Sequence, residues 1–291
     1  MRILKTGIAA IALMTAAIPA ISQADGEPPS MIHGFGSVQF STDYITPRGL
    51  VVSDKGVTLQ ALAGLVWVLP KNFSIVAGSW NDADLFHQHA PGVGAWVEED
   101  FFAGVNYQLS KKTKLSITYD SWNFPGGAPS NEQNIEFTGS YDDSAPARSW
   151  SLQPHATVFW AIASPSSTVV LGQPADKGTT AYLELGATPT LALKSIPLTI
   201  TAPTWISVGA PKYWCADSST CGSNHFGVLS TGLTFTTPAS FIPPQYGHWR
   251  LYAGFQYFNL LNGALVDSQE IVVGSTHRNV INGFIGTGFG F

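Results

Sequence analysis

Charge is scarce in this chain. Asp, Glu, Lys and Arg make up 11% of its 291 residues, less than half the ~25% usual in a globular domain. The charge present leans acidic, with 14 Lys and Arg against 19 Asp and Glu for a formal net of −5. That balance argues against nucleic acid as a partner, because phosphate binding needs clustered Lys and Arg. Long apolar runs are missing too: after residue 24 no stretch reaches the ~20 residues of a membrane helix. Cysteine is limited to Cys215 and Cys221. No second Cys pair or nearby His pair completes a zinc set, so no metal and no other cofactor is implied.

Glycine and aromatic residues are plentiful instead, with 29 Gly and 12% Phe, Trp and Tyr. Low charge, many glycines and no hydrophobic helix together fit an all-β class. They point to a transmembrane antiparallel up-and-down β-barrel whose apolar face meets lipid. The N-terminus agrees with export. Arg2 and Lys5 precede an apolar stretch from Gly7 to Ile18, and Ser22 and Ala24 make a small-residue cleavage pattern. Residues 1–24 are expected to be a secretory signal peptide, 25–33 a periplasmic leader, and 34–291 the barrel, in the bacterial outer membrane. In an oxidising compartment Cys215 and Cys221 are expected to form a disulfide pinning a loop.

Period-two alternation supports this, because a barrel strand shows lipid and lumen on successive residues. Leu115, Ile117 and Tyr119 alternate with Ser116, Thr118 and Asp120, and Ile135 and Phe137 with Glu136 and Thr138. Ala181, Leu183 and Leu185 do the same against Tyr182 and Glu184. About twelve such segments are predicted, at 34–46, 56–69, 73–81, 97–109, 112–123, 133–142, 149–162, 178–188, 195–209, 225–237, 247–259 and 279–291. Their connections are alternately short and mostly longer, which matches periplasmic turns and extracellular loops. Tyr44, Trp67, Trp80, Tyr107, Trp122, Tyr141, Trp150, Trp160, Trp205 and Trp249 fall near strand ends, where aromatic girdles belong.

The segment NGFIGTGFGF, residues 282–291, splits by parity into a greasy face with Ile281, Ile285, Phe289 and Phe291 and a face with Gly286, Gly288 and Gly290. Inward glycines in a strand commonly mark a close approach. Either a bulky side chain or the leader packs there, or the lumen needs the room. Gly286, Phe289 and Phe291 resemble the C-terminal recognition signal of bacterial outer-membrane proteins, which implies the insertion machinery as an assembly partner. A second resemblance lies in STDYITPRGLVVSDKGVTLQ, residues 41–60. Asp43, Tyr44, Arg48 and Gly49, with one extra residue among Thr46 and Pro47, resemble the first hairpin of the TorF-type porin family. AGSWN (77–81), EEDFFAGVNYQL (98–109) and SWNFPGG (121–127) follow in that family's order. The likeness covers about residues 37–143 and implies a small outer-membrane barrel of pore function, without naming a solute.

With apolar residues facing lipid, the opposite parity should line a lumen: Gln39, Asp43, Gln60, Glu98, Asp100, Asn106, Asp120, Glu136, Gln153, His155, Glu184, Arg250 and Gln256. Six of these are acidic, against two basic side chains, Arg250 and Lys114. Buried carboxylates need water or partners, and acidic rings in a wet constriction favour cations. The expectation is a porin-like channel for passive diffusion of small hydrophilic solutes, embedded in outer-membrane lipids, with mild cation preference. The alternative is a non-conducting structural or adhesive barrel whose loops contact ligands. Three smaller motifs stand beside these. His87 and His89 could meet a transition metal, and Glu98, Glu99 and Asp100 a calcium ion. Ser223 and His225, two apart, could serve a lipid-active hydrolase if the base reached the nucleophile.

Overall fold

A computed structural model describes residues 31–85, 94–125, 131–163, 180–214 and 223–291. Cys215, Cys221, His87, His89 and the proposed signal peptide lie outside these residues. Twelve strands form the wall: β1 (Ile32–Ser41), β2 (Thr58–Val68), β3 (Phe73–Asp84), β4 (Trp96–Gln108), β5 (Thr113–Asn123) and β6 (Glu132–Tyr141). They continue with β7 (Pro154–Ala163), β8 (Thr180–Ala187), β9 (Thr204–Gly209), β10 (Phe226–Pro238), β11 (His248–Leu260) and β12 (Asn279–Gly290). Each pairs antiparallel with its sequence neighbour, and β12 pairs with β1 from Phe35↔Gly290 to Ser41↔Phe284. The sheet therefore closes on itself and has no open edge. No helix among the described residues is long and apolar enough to cross a membrane.

Parity divides the side chains as the alternation predicts. Ile117 is 54% exposed while Thr118 beside it is 3% exposed. Leu115, Tyr119, Phe137, Leu185, Phe255, Ile281 and Ile285 also stand outward and exposed. Water would penalise such a continuous apolar band, and lipid does not. The molecule is a membrane-spanning antiparallel β-barrel.

The seam between β1 and β12 answers the question raised by the glycines. Gly286 and Gly288 face inward, and bulky side chains fill the space. A Cβ at Gly286 would lie 2.6 Å from the Tyr252 hydroxyl, and one at Gly288 2.7 Å from Arg250 Nε. On the outside the arrangement is reversed. The rings of Phe289 and Phe291 lie over Gly36 and Gly34 of β1. Trp249 stacks on Phe289 with ring centroids 4.8 Å apart, and Phe289 stacks on Phe291. Gly36 therefore faces lipid beneath a ring.

Three expected segments break where the wall meets special chemistry. The strand expected at 34–46 ends at Ser41, and the chain then turns inward. The strand expected at 195–209 is two pieces, Thr199–Thr201 and β9, separated at Ala202 and Pro203. Proline has no N–H for a ladder, but the Pro203 carbonyl accepts from Gly232 N at 3.0 Å and Gln256 Nε2 at 3.3 Å. Below that break a hairpin, Thr190–Ala192 with Thr199–Thr201, fills the wall between the lower half of β10 and the short strand Trp150–Ser151. The segment expected at 149–162 is likewise interrupted at Leu152 and Gln153. There the Asp143 carboxylate accepts from both backbone N–H groups, at 2.8 and 2.9 Å. Those two N–H groups, Gln153 foremost, hold the Asp143 carboxyl below its ordinary pKa.

Candidate functional site: an inward hairpin over an acidic chamber

The connection from β1 to β2 folds into the barrel. Tyr44 pairs with Ser53 and Ile45 with Val51 to make a small hairpin. Its turn is closed by Gly49 N to Thr46 O, 2.9 Å, and by Leu50 N to the Thr46 hydroxyl, 3.0 Å. Gly49 has φ +93°, a conformation that side-chain-bearing residues rarely adopt. A Cβ there would also crowd Leu265 and Val228. This explains the Arg-Gly pair of the sequence motif: the glycine makes the turn that aims Arg48 into the barrel.

Arg48 is buried, and Nη1 lies 3.2 Å from Glu132 Oε2 on β6. Its guanidinium carbon sits 4.4 Å from the centroid of the Trp122 ring. Tyr44 donates its hydroxyl hydrogen to Glu98, and Trp205 Nε1 donates to the Pro47 carbonyl at 3.3 Å. The hairpin is thus tied to four wall strands by polar contacts.

On its other side it packs against an apolar cap. Helix α1 (Pro211–Trp214) buries Tyr213 and Trp214 completely, and Trp214 Nε1 donates to the His225 carbonyl at 3.1 Å. Helix α2 (Gly263–Val273) is capped by Asn262, which accepts from Ala264 N, and by Gly274 at φ +72°. Its Leu265 joins Ile45, Val51, Tyr213, Trp214 and Leu260 in one buried cluster. Burying aromatic and aliphatic side chains of this size is worth roughly 1.5–3 kcal/mol each. The hairpin and this cluster therefore occupy interior space on the loop side of the barrel.

Beneath the hairpin lies a chamber of about 130 Å³. Glu98 and Asp100 from β4, Asp120 from β5 and Glu136 from β6 line one wall. Apart from Arg48 of the hairpin, the other lining is neutral and aromatic, including Gln39, Gln60, Tyr252 and Asn282. Asp120 approaches Glu136, and Glu98 approaches Asp100, carboxyl to carboxyl. Two carboxyls in contact repel unless a proton or a cation lies between them.

The remaining expected residues fall elsewhere. Glu184 is inward and fully buried, 3.9 Å from His155 Nε2. Arg250 lies lower, against Gly288. Asp43 accepts from the Thr42 hydroxyl outside the chamber, and burial raises its carboxyl pKa against that hydrogen bond. Arg48, Glu132 and Asp82 are inward charges that the lumen reading did not include. Asp82 was open to parity, since it pairs with Glu98. Glu132 is 84 residues from Arg48, beyond any local pattern.

The aromatic girdle needs correction as well. Trp67, Tyr141, Trp150 and Trp160 are exposed outward, but Tyr44, Trp80 and Trp205 are buried inside and Trp122 lines the chamber. Position along the strand suggested the girdle, whereas parity decides the face. Glu99 takes the opposite parity from Glu98 and Asp100, so the three do not converge. Among the described residues no cluster suits a metal ion. His225 Nδ1 lies 3.0 Å from the Gly209 carbonyl, and no hydrogen bond joins Ser223 to His225 among the described residues.

The fold and chamber define a small, closed outer-membrane barrel. Among solved structures it is similar to the NanC porin at 10% identity, with 89% of this chain and 98% of that chain covered and a TM-score of 0.50. An outer-membrane channel from Pseudomonas putida F1 aligns at 11% identity, covering 93% and 100% of the two chains, with a TM-score of 0.49. No family model matches the chain, and no curated protein matches it in sequence.

Proposed function

We propose that this barrel is a narrow channel through which small hydrophilic solutes diffuse passively, with a mild preference for cations. The acidic chamber carries the reading. A purely structural core would be more stable with apolar side chains there, because confined carboxyls cost free energy unless water or cations reach them. Acidic walls also raise the local concentration of cations. The likeness in fold to a porin and the TorF-type resemblance over residues 37–143 support the same reading. The resemblance rests on its quoted residues. The Cys215–Cys221 bridge and the assembly role of Gly286, Phe289 and Phe291 belong to the same proposal.

The inward hairpin and its apolar cap favour a second reading, a non-conducting structural or adhesive barrel with ligand-contacting loops. Planar-bilayer recording separates the two. The triple variant Asp120→Asn, Glu136→Gln and Glu184→Gln should fold and show a weaker cation preference in its reversal potential. Raising the salt should shrink the wild-type preference, since the Debye length is about 8 Å at physiological ionic strength and falls from there. A wild-type barrel that never conducts would defeat the channel reading. A triple variant with unchanged reversal potential would defeat the selectivity.

A further inference from the structure

We infer that the chamber binds small organic cations of the guanidinium or alkylammonium type, with Arg48 as an intramolecular surrogate at its edge. The inference rests on the channel reading for its purpose but on the chamber's own chemistry for its content. Arg48 is the only basic side chain lining the chamber among the described residues. Its guanidinium already uses the two kinds of contact on offer, a ring face at Trp122 and a carboxylate at Glu132. The rest of the chamber repeats those contacts with no guanidinium to use them. Trp80, Tyr44 and Phe102 supply rings, and Asp100, Asp120 and Glu136 supply carboxyls.

Asp120 is 4% exposed, and its Oδ2 receives no hydrogen bond from a donor group. Its neighbours in the chamber include the acidic side chains of Glu136 and Asp100. A cation with several N–H donors would satisfy both oxygens at once. Inorganic ions suit this lining less well. Among the described residues no set of metal-ligating side chains converges, and a strongly hydrated ion gains little from ring faces. A weakly hydrated organic cation gains from both rings and acids. The volume of about 130 Å³ has room for one such cation with water.

The test uses the full barrel, purified in detergent and titrated with methylguanidinium chloride, sodium chloride or glucose while tryptophan fluorescence is followed. Methylguanidinium should bind saturably and at least tenfold more tightly than sodium, with glucose inert. Asp120→Asn with Glu136→Gln should weaken it at least tenfold. Arg48→Ala should bind methylguanidinium more tightly than wild type and gain more thermal stability from it. Equal responses to methylguanidinium and sodium in the wild type would overturn the inference, as would unchanged affinity in the double variant. If that variant does not fold, the wild-type comparison with sodium decides. Conductance without organic-cation binding would sink this inference and leave the channel reading standing. Binding without conductance would do the reverse.

Discussion

Arg48→Met should release the inward hairpin. The substitution keeps an unbranched, though shorter, side chain and strips Glu132 of its guanidinium. Both side chains are almost fully buried, at 2% and 1% exposure, so breaking the pair falls in the range of about 3–5 kcal/mol. Loss of the ring contact with Trp122 adds about 1–2 kcal/mol for a desolvated cation–π pair. Part of this is recovered as Met fills the space, which leaves a net loss of roughly 3 kcal/mol to hairpin docking. That is about a hundredfold increase in the undocked population. The apolar cluster around Val51 and Leu265 still holds the other face, so the barrel itself should remain folded and heat-modifiable. Single-channel recording should show more frequent or larger open events, and protease should cut residues 42–57 faster than in the wild type. Glu132→Gln should do the same, and the double variant should cost well under the sum of the two. Strict additivity, or conductance and cleavage identical to wild type, would refute the latch.

The wall carries further expectations. Deleting Phe291, or changing it to Asp, should leave unfolded chain in the periplasm, read as loss of the heat-modifiable band; normal barrels from both would end that idea. Arg at Ile117, Phe137 or Leu183 should cost ~2–4 kcal/mol near the midplane by denaturant titration in lipid, whereas Thr118→Ser should cost much less. Equal behaviour of the two sets would contradict the lipid-facing register. Asp143→Ala should loosen the turn at Leu152 and Gln153, seen as faster amide exchange there. The Asp143 carboxyl is held below its ordinary value, so its small contribution should be complete above about pH 4 and fade as pH falls through the folded value. Exchange that is independent of pH between 5 and 2, after correction for intrinsic rates, would exclude this cap.

The twelve wall strands were legible because each faces two different solvents. Leu115, Ile117 and Tyr119 meet lipid while Ser116, Thr118 and Asp120 meet the interior, and that contrast repeats every second residue. The inward hairpin has no such contrast. Ile45, Leu50 and Val51 are buried among other side chains, so the alternation that marks a wall strand is absent and the segment reads as an overrun of β1. Helix α2 did leave signals, Asn262 before it and Gly274 after it, but a long loop was the stronger expectation for that stretch. Trp80 was equally readable, since it shares parity with Asp82. The Arg48–Glu132 pair could not be found by any pattern of neighbours; only the closed sheet brings the two together.

The ring ladder on the seam has a consequence for the order of events in assembly. Phe289 and Phe291 cover Gly36 and Gly34, and Phe291 exchanges both backbone hydrogen bonds with Gly34, at 2.9 and 3.0 Å. Under the proposed assembly role of these residues, a receptor that read these rings and this strand edge would occupy the place that β1 takes afterwards. The two partners would be mutually exclusive, so a chain held by its reader could not be shut, and a shut barrel would offer the reader nothing to hold. Handover and closure would then be one step, driven forward by the same surface that began it.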